Sequence, residues 1–494
     1  MNVLLVYPKF PTTYWSFQYA LKFLGKKAAL PPLGLITVAA ILPKEWTLKL
    51  VDMNVSRLRK SDLAWADAVM ISAMVVQQDS VRDVILRANA LGKTVIAGGP
   101  AFTCEPDEYP GVDHLILGEA ERSLAPFLED FVRGKAKPRY EAESFPQMCD
   151  VPNPRWDLLN IRKYASMSIQ FSRGCPFNCD FCNVTALFGH RPRIKTTKQI
   201  LKELDSIWAL GWRSSVFFVD DNFIGNKRFL KRDLLPALVA WQKSHKTGLP
   251  FYTEASINMA DDPELMEMMS AAGFDTVFIG LETPSEAALT DCNKKQNRGR
   301  DLVNDIKKIQ RAGMQVQGGF IVGFDSDTHS IFQRQIDFIQ KSGVVTAMVG
   351  ILQAPVGTAL HERMSREGRL VGESSGNNTS VSTNIIPKMN LDTLVDGYQS
   401  LIKNLYSPST YYARVKIFLN EFNGPMIRGK VDRHRLRAFL TSIVRLGILG
   451  RERFEYWKLL SWVAVRKTHL LPTAISLAII GFHFRKVSEQ ICAD

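Results

Sequence analysis

Arg173-Gly174-Cys175-Pro176-Phe177-Asn178-Cys179-Asp180-Phe181-Cys182 is the stretch on which the reading turns. Three cysteines fall within eight residues as C-x3-C-x2-C, directly after an apolar run, residues 167–172, that reads as a buried strand. Thiolates are the soft ligands that iron–sulfur clusters require. Three rather than four leave one iron without a protein ligand, free to bind a substrate-like molecule. Zinc wants four closed ligands, and on spacing alone a zinc site with His190 as the fourth stays open.

Downstream, strand signals recur at residues 215–219, 251–255, 276–279, 315–322 and 347–352, with helical stretches such as 197–210 and 300–312 between them. Six β/α units predict a partial (β/α)6 barrel, open on one side, with the cysteines on the loop after its first strand. Upstream, short β-branched runs at 3–6, 48–51, 68–71, 94–97 and 114–117 alternate with helical patterns such as 81–91. That is a parallel sheet wrapped by helices. Gly98-Gly99-Pro100 and Gly118-Glu119 follow directly on strands, where open α/β sheets bind ligands. The expected order is an α/β Rossmann-like domain over 1–135, a linker rich in Pro, Glu and Asp over 136–164, the barrel over 165–390 and a helical region over 391–494. Within that last region the apolar run 470–482 is thirteen residues long. A membrane span needs about 20, so it is read as too short to cross a bilayer.

A chain of 494 residues exceeds what one core organises, and 46% apolar with 22% charged residues excludes long disorder. Net charge is +13, and residues 411–494 hold 15 Lys or Arg against 6 Asp or Glu. Such a tail suits anionic lipid, nucleic acid or a solvated basic face. Seven cysteines, three of them clustered, exclude a disulfide framework and point to a reducing compartment. The N-terminus reads as a strand running into Pro8 and lacks the basic region of a signal peptide, so the expected location is cytoplasmic.

C-x3-C-x2-C with an aromatic residue before the last cysteine, at the mouth of a β/α barrel, resembles the radical S-adenosylmethionine (SAM) superfamily. The resemblance implies a 4Fe–4S cluster on Cys175, Cys179 and Cys182. Its open iron is chelated by the amino and carboxylate groups of SAM, whose cleavage yields a 5′-deoxyadenosyl radical. It also implies Phe181 beside the adenine. Val277-Phe278-Ile279-Gly280-Leu281-Glu282 is similar to the strand whose acid meets the ribose, which assigns Glu282. Gly318-Gly319-Phe320-Ile321-Val322-Gly323-Phe324 is similar to the motif that contacts adenine, which assigns Gly319 and Gly323. Arg193 and Glu254 match positions that face the cofactor in related enzymes; a solvated charge or an ion pair is the alternative. Asp220 and Asp221, with Glu254, are the candidates for lining the reaction cavity, although Asp220-Asp221-Asn222 equally suits a helix cap.

The first domain is similar to the cobalamin-binding domain of cobalamin-dependent radical enzymes. Pro31-Pro32-Leu33-Gly34-Leu35, Val51-Asp52, Ile71-Ser72-Ala73-Met74 and the two glycine turns carry the likeness. It implies a cobalamin site at Ser72, Met74, Gly98, Gly99, Gly118 and Glu119; the alternative is a Rossmann-like domain holding something else, or nothing. The Asp-x-His-x-x-Gly motif that supplies a cobalt-binding His is absent, and Asp113-His114 has the wrong spacing, so His114 is expected to pack in its strand.

Residues 352–360 and 292–297 and the basic tail resemble the subgroup of the hopanoid C-2 methylase and the bacteriochlorophyll C-8 and C-12 methylases. This implies methyl transfer to an unactivated carbon of a lipid, hopanoid or tetrapyrrole-like substrate. One SAM methylates cobalamin and a second generates the radical. A radical ring closure or oxidation with the same cofactors, and a cluster-bearing electron carrier at the membrane, are the competing readings. Implied partners are a small hydrophobic substrate and a flavodoxin- or ferredoxin-like electron donor, with peripheral membrane contact through the tail. No nucleic-acid-binding module is recognised, so none is expected as a partner.

Overall fold

Val3, Leu4, Leu5 and Val6 are fully buried because their strand sits between two neighbours, with helices on both faces. The computed structural model describes residues 1–245, 248–424 and 433–493; the side chains of Arg433 and His434, part of the basic tail, lie outside the described residues. β1 (Asn2–Tyr7), β2 (Thr47–Asp52), β3 (Ala68–Ser72), β4 (Thr94–Gly98), β5 (His114–Leu117) and β6 (Arg139–Glu141) form a parallel sheet of order β2-β1-β3-β4-β5-β6. Sheet growth reverses between β1 and β3, and in open α/β sheets the ligand crevice lies at that switch point. Gln77, 1% exposed, ties the two loops there, donating to the Pro8 carbonyl and accepting from the Met74 N–H at 2.8 Å. β6 lies inside the segment expected to be linker. Its flanking Arg139 and Glu141 are exposed and only Tyr140 is buried, so no apolar run announced it.

The second sheet is the expected open barrel. β7 (Met167–Ile169), β10 (Val216–Phe218), β11 (Phe251–Glu254), β12 (Phe274–Glu282), β13 (Gln315–Val322) and β14 (Ala347–Ile351) run parallel in the order β14-β13-β12-β11-β10-β7. Between β7 and β10, β8 (Ser172–Arg173) and β9 (Arg193–Ile194) pair antiparallel as a separate short ribbon. Outer helices follow their sequence signals: Asp301 accepts from the Asn304 N–H at 3.1 Å and Leu302–Arg311 buries Leu302, Ile306 and Ile309 on one stripe.

An open barrel leaves edge carbonyls to be satisfied. On β14 the tail does this: the Tyr398 hydroxyl donates to the Val349 carbonyl at 3.0 Å and the Tyr406 hydroxyl to that of Ala347. The tail therefore shares one core with the barrel. Its final helix, Leu471–Ile491, runs well past the apolar stretch seen in the sequence. Thr468–Ile491, with a mean hydropathy of 1.3 in its most apolar window, is long and apolar enough to cross a membrane by length and composition, which corrects the shorter expectation. The stretch was cut short at Arg485, whose charge is neutralised by Glu452, 4% exposed. The helix is packed: the Tyr411 hydroxyl donates to the Leu477 carbonyl at 2.6 Å, and Phe484 stacks on Tyr14 at 5.1 Å.

His483, fully buried, places Nε2 3.0 Å from the Tyr14 carbonyl, and burial pushes its pKa down from 6.5 to about 4. The unfolded chain therefore takes up this proton first, and stability falls as pH drops from 6.5 towards 4. At pH 5 the loss attributable to His483 is about 2 kcal/mol. Thermal unfolding of His483→Gln at pH 7.5 and pH 5 is expected to show a smaller acid destabilisation than the parent chain.

Candidate active site between the two sheets

The cysteine loop is a hairpin insertion: β8 leads into it, β9 leaves it, and Arg173 pairs with Arg193 across its base. Gly174 has φ +93, and a Cβ there would lie 2.8 Å from the Gly189 carbonyl, so only glycine lets the loop close. Two carboxylates at the end of β10 brace the base. Asp220, 1% exposed, accepts from the Phe171 N–H at 3.1 Å and from both the N–H and hydroxyl of Ser172. Asp221 accepts from the Gly174 N–H at 3.2 Å. These residues were candidates for the reaction cavity; the structure gives them the role of holding the loop. Burial raises Asp220 to about 7 and Asp221 to about 6.

Cys175, Cys179 and Cys182 share one neighbourhood, close enough that a Cys179 thiolate would raise the pKa of both Cys175 and Cys182. Burial is the larger cause and pushes Cys182 up to about 12, so a bound cation rather than water is what holds such a thiol ionised. Among the described residues no three His, Cys, Asp or Glu side chains converge to the spacing of a single ion. His190 is exposed. Three thiols on one loop suit a cluster, in which each binds its own iron, better than zinc, which wants four closed ligands.

The residues around the loop include several that the sequence reading passed over. Residues 292–297 were noted only as part of a resemblance, yet they form the opposite wall. The Asp180 N–H donates to the Cys292 carbonyl at 3.1 Å, Asn293 Nδ2 to the Asn178 carbonyl at 2.6 Å, and Gln296 Nε2 to Cys179 Sγ at 3.6 Å. Lys294 Nζ donates to Glu282 Oε1 at 2.7 Å and stands 5.7 Å from the Phe181 ring centre. Glu282, at a bulge ending β12, has φ +61, a strained value for a residue with a side chain. Phe181 meets Phe324 edge-on at 6.4 Å. The cysteines, Phe181, Glu282 and Lys294 are thus brought together.

Other expected residues are placed elsewhere. Arg193, assigned to SAM, is held by Glu119 and donates to the carbonyls of Pro146 at 2.9 Å and Phe188 at 3.2 Å. A Cβ on Gly319 would meet the Phe278 ring at 2.9 Å, and one on Gly323, φ +99, would meet Leu394 of the tail at 3.1 Å. Packing therefore explains both glycines. Glu254, half-buried at the end of β11, is pushed up to about 8 by burial and by Asp221 and Asp220.

In the first domain the cobalamin candidates cluster at the carboxyl ends of β3, β4 and β5. Ser72 and Gly99 touch, since a Cβ on Gly99 (φ +94) would lie 2.8 Å from Ser72 Oγ. Met74 is exposed there, and Gly118 (φ +71) opens on free space. A large planar group fits against such side-chain-poor ends. A Cβ on Gly98 would meet the Ile116 carbonyl at 2.7 Å, a matter of strand packing. Glu119 is turned into ion pairs with Arg173 and Arg193. His114 packs on Phe127 and Phe131 at the amino end of β5, away from the crevice.

Removing the Lys294 charge would strand buried Glu282. Lys294→Met is expected to cost at least about tenfold in 5′-deoxyadenosine formation from SAM, in line with the loss of a charge-assisted hydrogen bond. Exposed Lys295→Met is the control and should be near wild type. Equal rates for the two variants would remove Lys294 from the site.

Residues 169–339 match the radical SAM superfamily, residues 27–128 a B12 binding domain, and residues 358–494 a domain of unknown function. The chain is 41% identical to an uncharacterized methyltransferase of Synechocystis, over 99% of this chain and 92% of that one. It is 34% identical to the hopanoid C-2 methylase of Rhodopseudomonas palustris, over 92% of this chain and 88% of that one. In fold it is similar to the cobalamin-dependent SAM radical enzyme OxsB, with a TM-score of 0.63 at 15% identity, covering 100% of this chain and 80% of that one. The chain belongs to the family of radical SAM methyltransferases that carry a B12-binding domain ahead of the barrel.

Proposed function

We propose that this enzyme methylates an unactivated carbon of a small hydrophobic substrate of the lipid, hopanoid or tetrapyrrole-like class. One juxtaposition carries the reading: the cysteine loop faces the carboxyl ends of the cobalamin-type sheet. Asn183, next after Cys182, donates to Cys104 of the first domain at 3.7 Å, and a Cβ on Gly376 of the barrel half would lie 3.0 Å from the Val76 nitrogen. When bound, the cluster, SAM and cobalamin supply hydrogen-atom abstraction and a transferable methyl group. The protein's part is to hold both above one carbon. Asp220 and Asp221 fix the loop, Lys294 keeps Glu282 oriented, and Phe181 with Phe324 walls off water. Glu254 stays protonated at neutral pH and so can donate a hydrogen bond to a polar substituent. Kinship with a methylase supports methyl transfer over ring closure.

We further propose a flavodoxin- or ferredoxin-like donor, whose acidic surface the chain's +13 charge attracts. The location proposed is the reducing cytoplasm, where seven cysteines stay out of disulfides, with the tail resting on the inner face of the membrane. An exposed apolar stripe supports that contact: Leu436, Leu440, Val444 and Ile448 recur every fourth residue along Arg433–Ile448, and Leu449 and Phe454 extend it. Arg445, Arg451, Arg453 and Lys458 lie among them, as an anionic bilayer surface requires.

Anaerobic incubation with methyl-deuterated SAM and a lipid extract should yield a product heavier by one labelled methyl. Deoxyadenosine formed without label entering any component would contradict methyl transfer. In flotation assays the chain should bind anionic vesicles at low salt and neutral ones weakly, and Leu440→Asp with Leu449→Asp should abolish binding. A stripe whose loss instead dissociates a dimer would belong to a second copy of the chain.

A further inference from the structure

Both ends of the cysteine loop close on carboxylates from the other domain. Arg173 and Arg193 face each other across the β8–β9 ribbon, one residue before and one after the loop 174–192. Two guanidiniums in register repel unless something neutralises both. Glu119 bridges them, and Glu121 takes the remaining fork of Arg173 at 2.8 Å. The four side chains are between 3% and 15% exposed. Glu119 stands just before and Glu121 in the first turn of the helix Ala120–Val132, where the helix dipole favours carboxylates. Directly before them stands Gly118, at the carboxyl end of β5 in the cobalamin-type sheet. The network therefore spans the two half-sites by its shortest covalent route: one residue from the crevice on one side, two residues from Cys175 on the other. Buried ion pairs contribute little net stability, while breaking one strands a charge, so their use here is to fix register.

We propose that Glu119, Glu121, Arg173 and Arg193 are positioning residues that couple occupancy of the cobalamin crevice to the geometry of the cysteine loop. The coupling rests on the cofactor reading above. The test is titration with hydroxocobalamin, followed by its visible spectrum, of protein with and without a reconstituted cluster. In the parent chain, reconstitution should tighten hydroxocobalamin binding at least about fivefold, the lower end of ordinary site–site coupling. In Glu119→Gln, which keeps shape and one acceptor, both groups should still bind, but the two dissociation constants should agree within about twofold. Damage to the fold alone would weaken both affinities and leave their ratio intact. Equal constants in the parent chain, or an undiminished ratio in Glu119→Gln, overturns the proposal. Should Glu119→Gln not fold, Glu121→Gln, which leaves Glu119 bridging both arginines, should show a reduced ratio; an unchanged one overturns the coupling equally. A parent chain that takes up no hydroxocobalamin overturns the cofactor reading itself.

Discussion

A loop with three thiols has to be fixed at its base before it can hold a cluster, and here the base is gripped from two directions. From the barrel, Asp220 and Asp221 take the N–H groups of Phe171, Ser172 and Gly174. From the first domain, Glu119 and Glu121 take the guanidinium of Arg173. The order of the rest follows: the sheet that offers the crevice, the ribbon that carries the loop and the barrel mouth below it become one frame. The acids are not alone in this: Tyr14, Phe23 and Ile36 of the first domain lie in the barrel's own core, and the Tyr164 hydroxyl donates to Asp52 at 2.9 Å.

The frame concentrates charge in a dry place, and chemistry follows from how each charge is settled. Asp220 accepts three hydrogen bonds, and burial still raises it to about 7. Lys294 pairs with Glu282 beside thiols that burial makes hard to ionise. Glu254 is left as the carboxyl most inclined to stay protonated, raised to about 8 at the edge of the mouth. A low dielectric makes each of these interactions stronger and each unpaired group costlier. That is the environment in which a reactive radical survives long enough to be used.

The fold was legible wherever burial leaves apolar runs: five strands of the first sheet and all six of the barrel stood in the sequence. β6 escaped because one buried tyrosine between two charges carries no pattern. That the cysteines share one loop was legible from spacing, and that Phe181 and Glu282 lie beside it from their place in ordered motifs, since Lys294 reaches both. The ion pairs were not. Nothing local in Arg173, Glu119 or Arg193 says that residues 54 or 74 apart in sequence will meet, so two of them were assigned to cofactors. Lys294 escaped likewise, since a lysine in a polar run is ordinarily solvated and its burial depends on Glu282, 12 residues before it. Gly319 and Gly323 looked like ligand contacts, because a glycine required by a neighbouring ring or helix and one required by a ligand read alike.

Two cofactors that converge on one substrate carbon, as proposed, must lie close together, and the distance between them can be measured. In protein loaded with cob(II)alamin and a reduced cluster, both are paramagnetic, and their dipolar coupling can be read by pulsed electron paramagnetic resonance. The expected result is one narrow distance distribution, short enough for a single carbon to lie between cobalt and the open iron. Uncoupled signals, or a broad distribution extending beyond that reach, would contradict it.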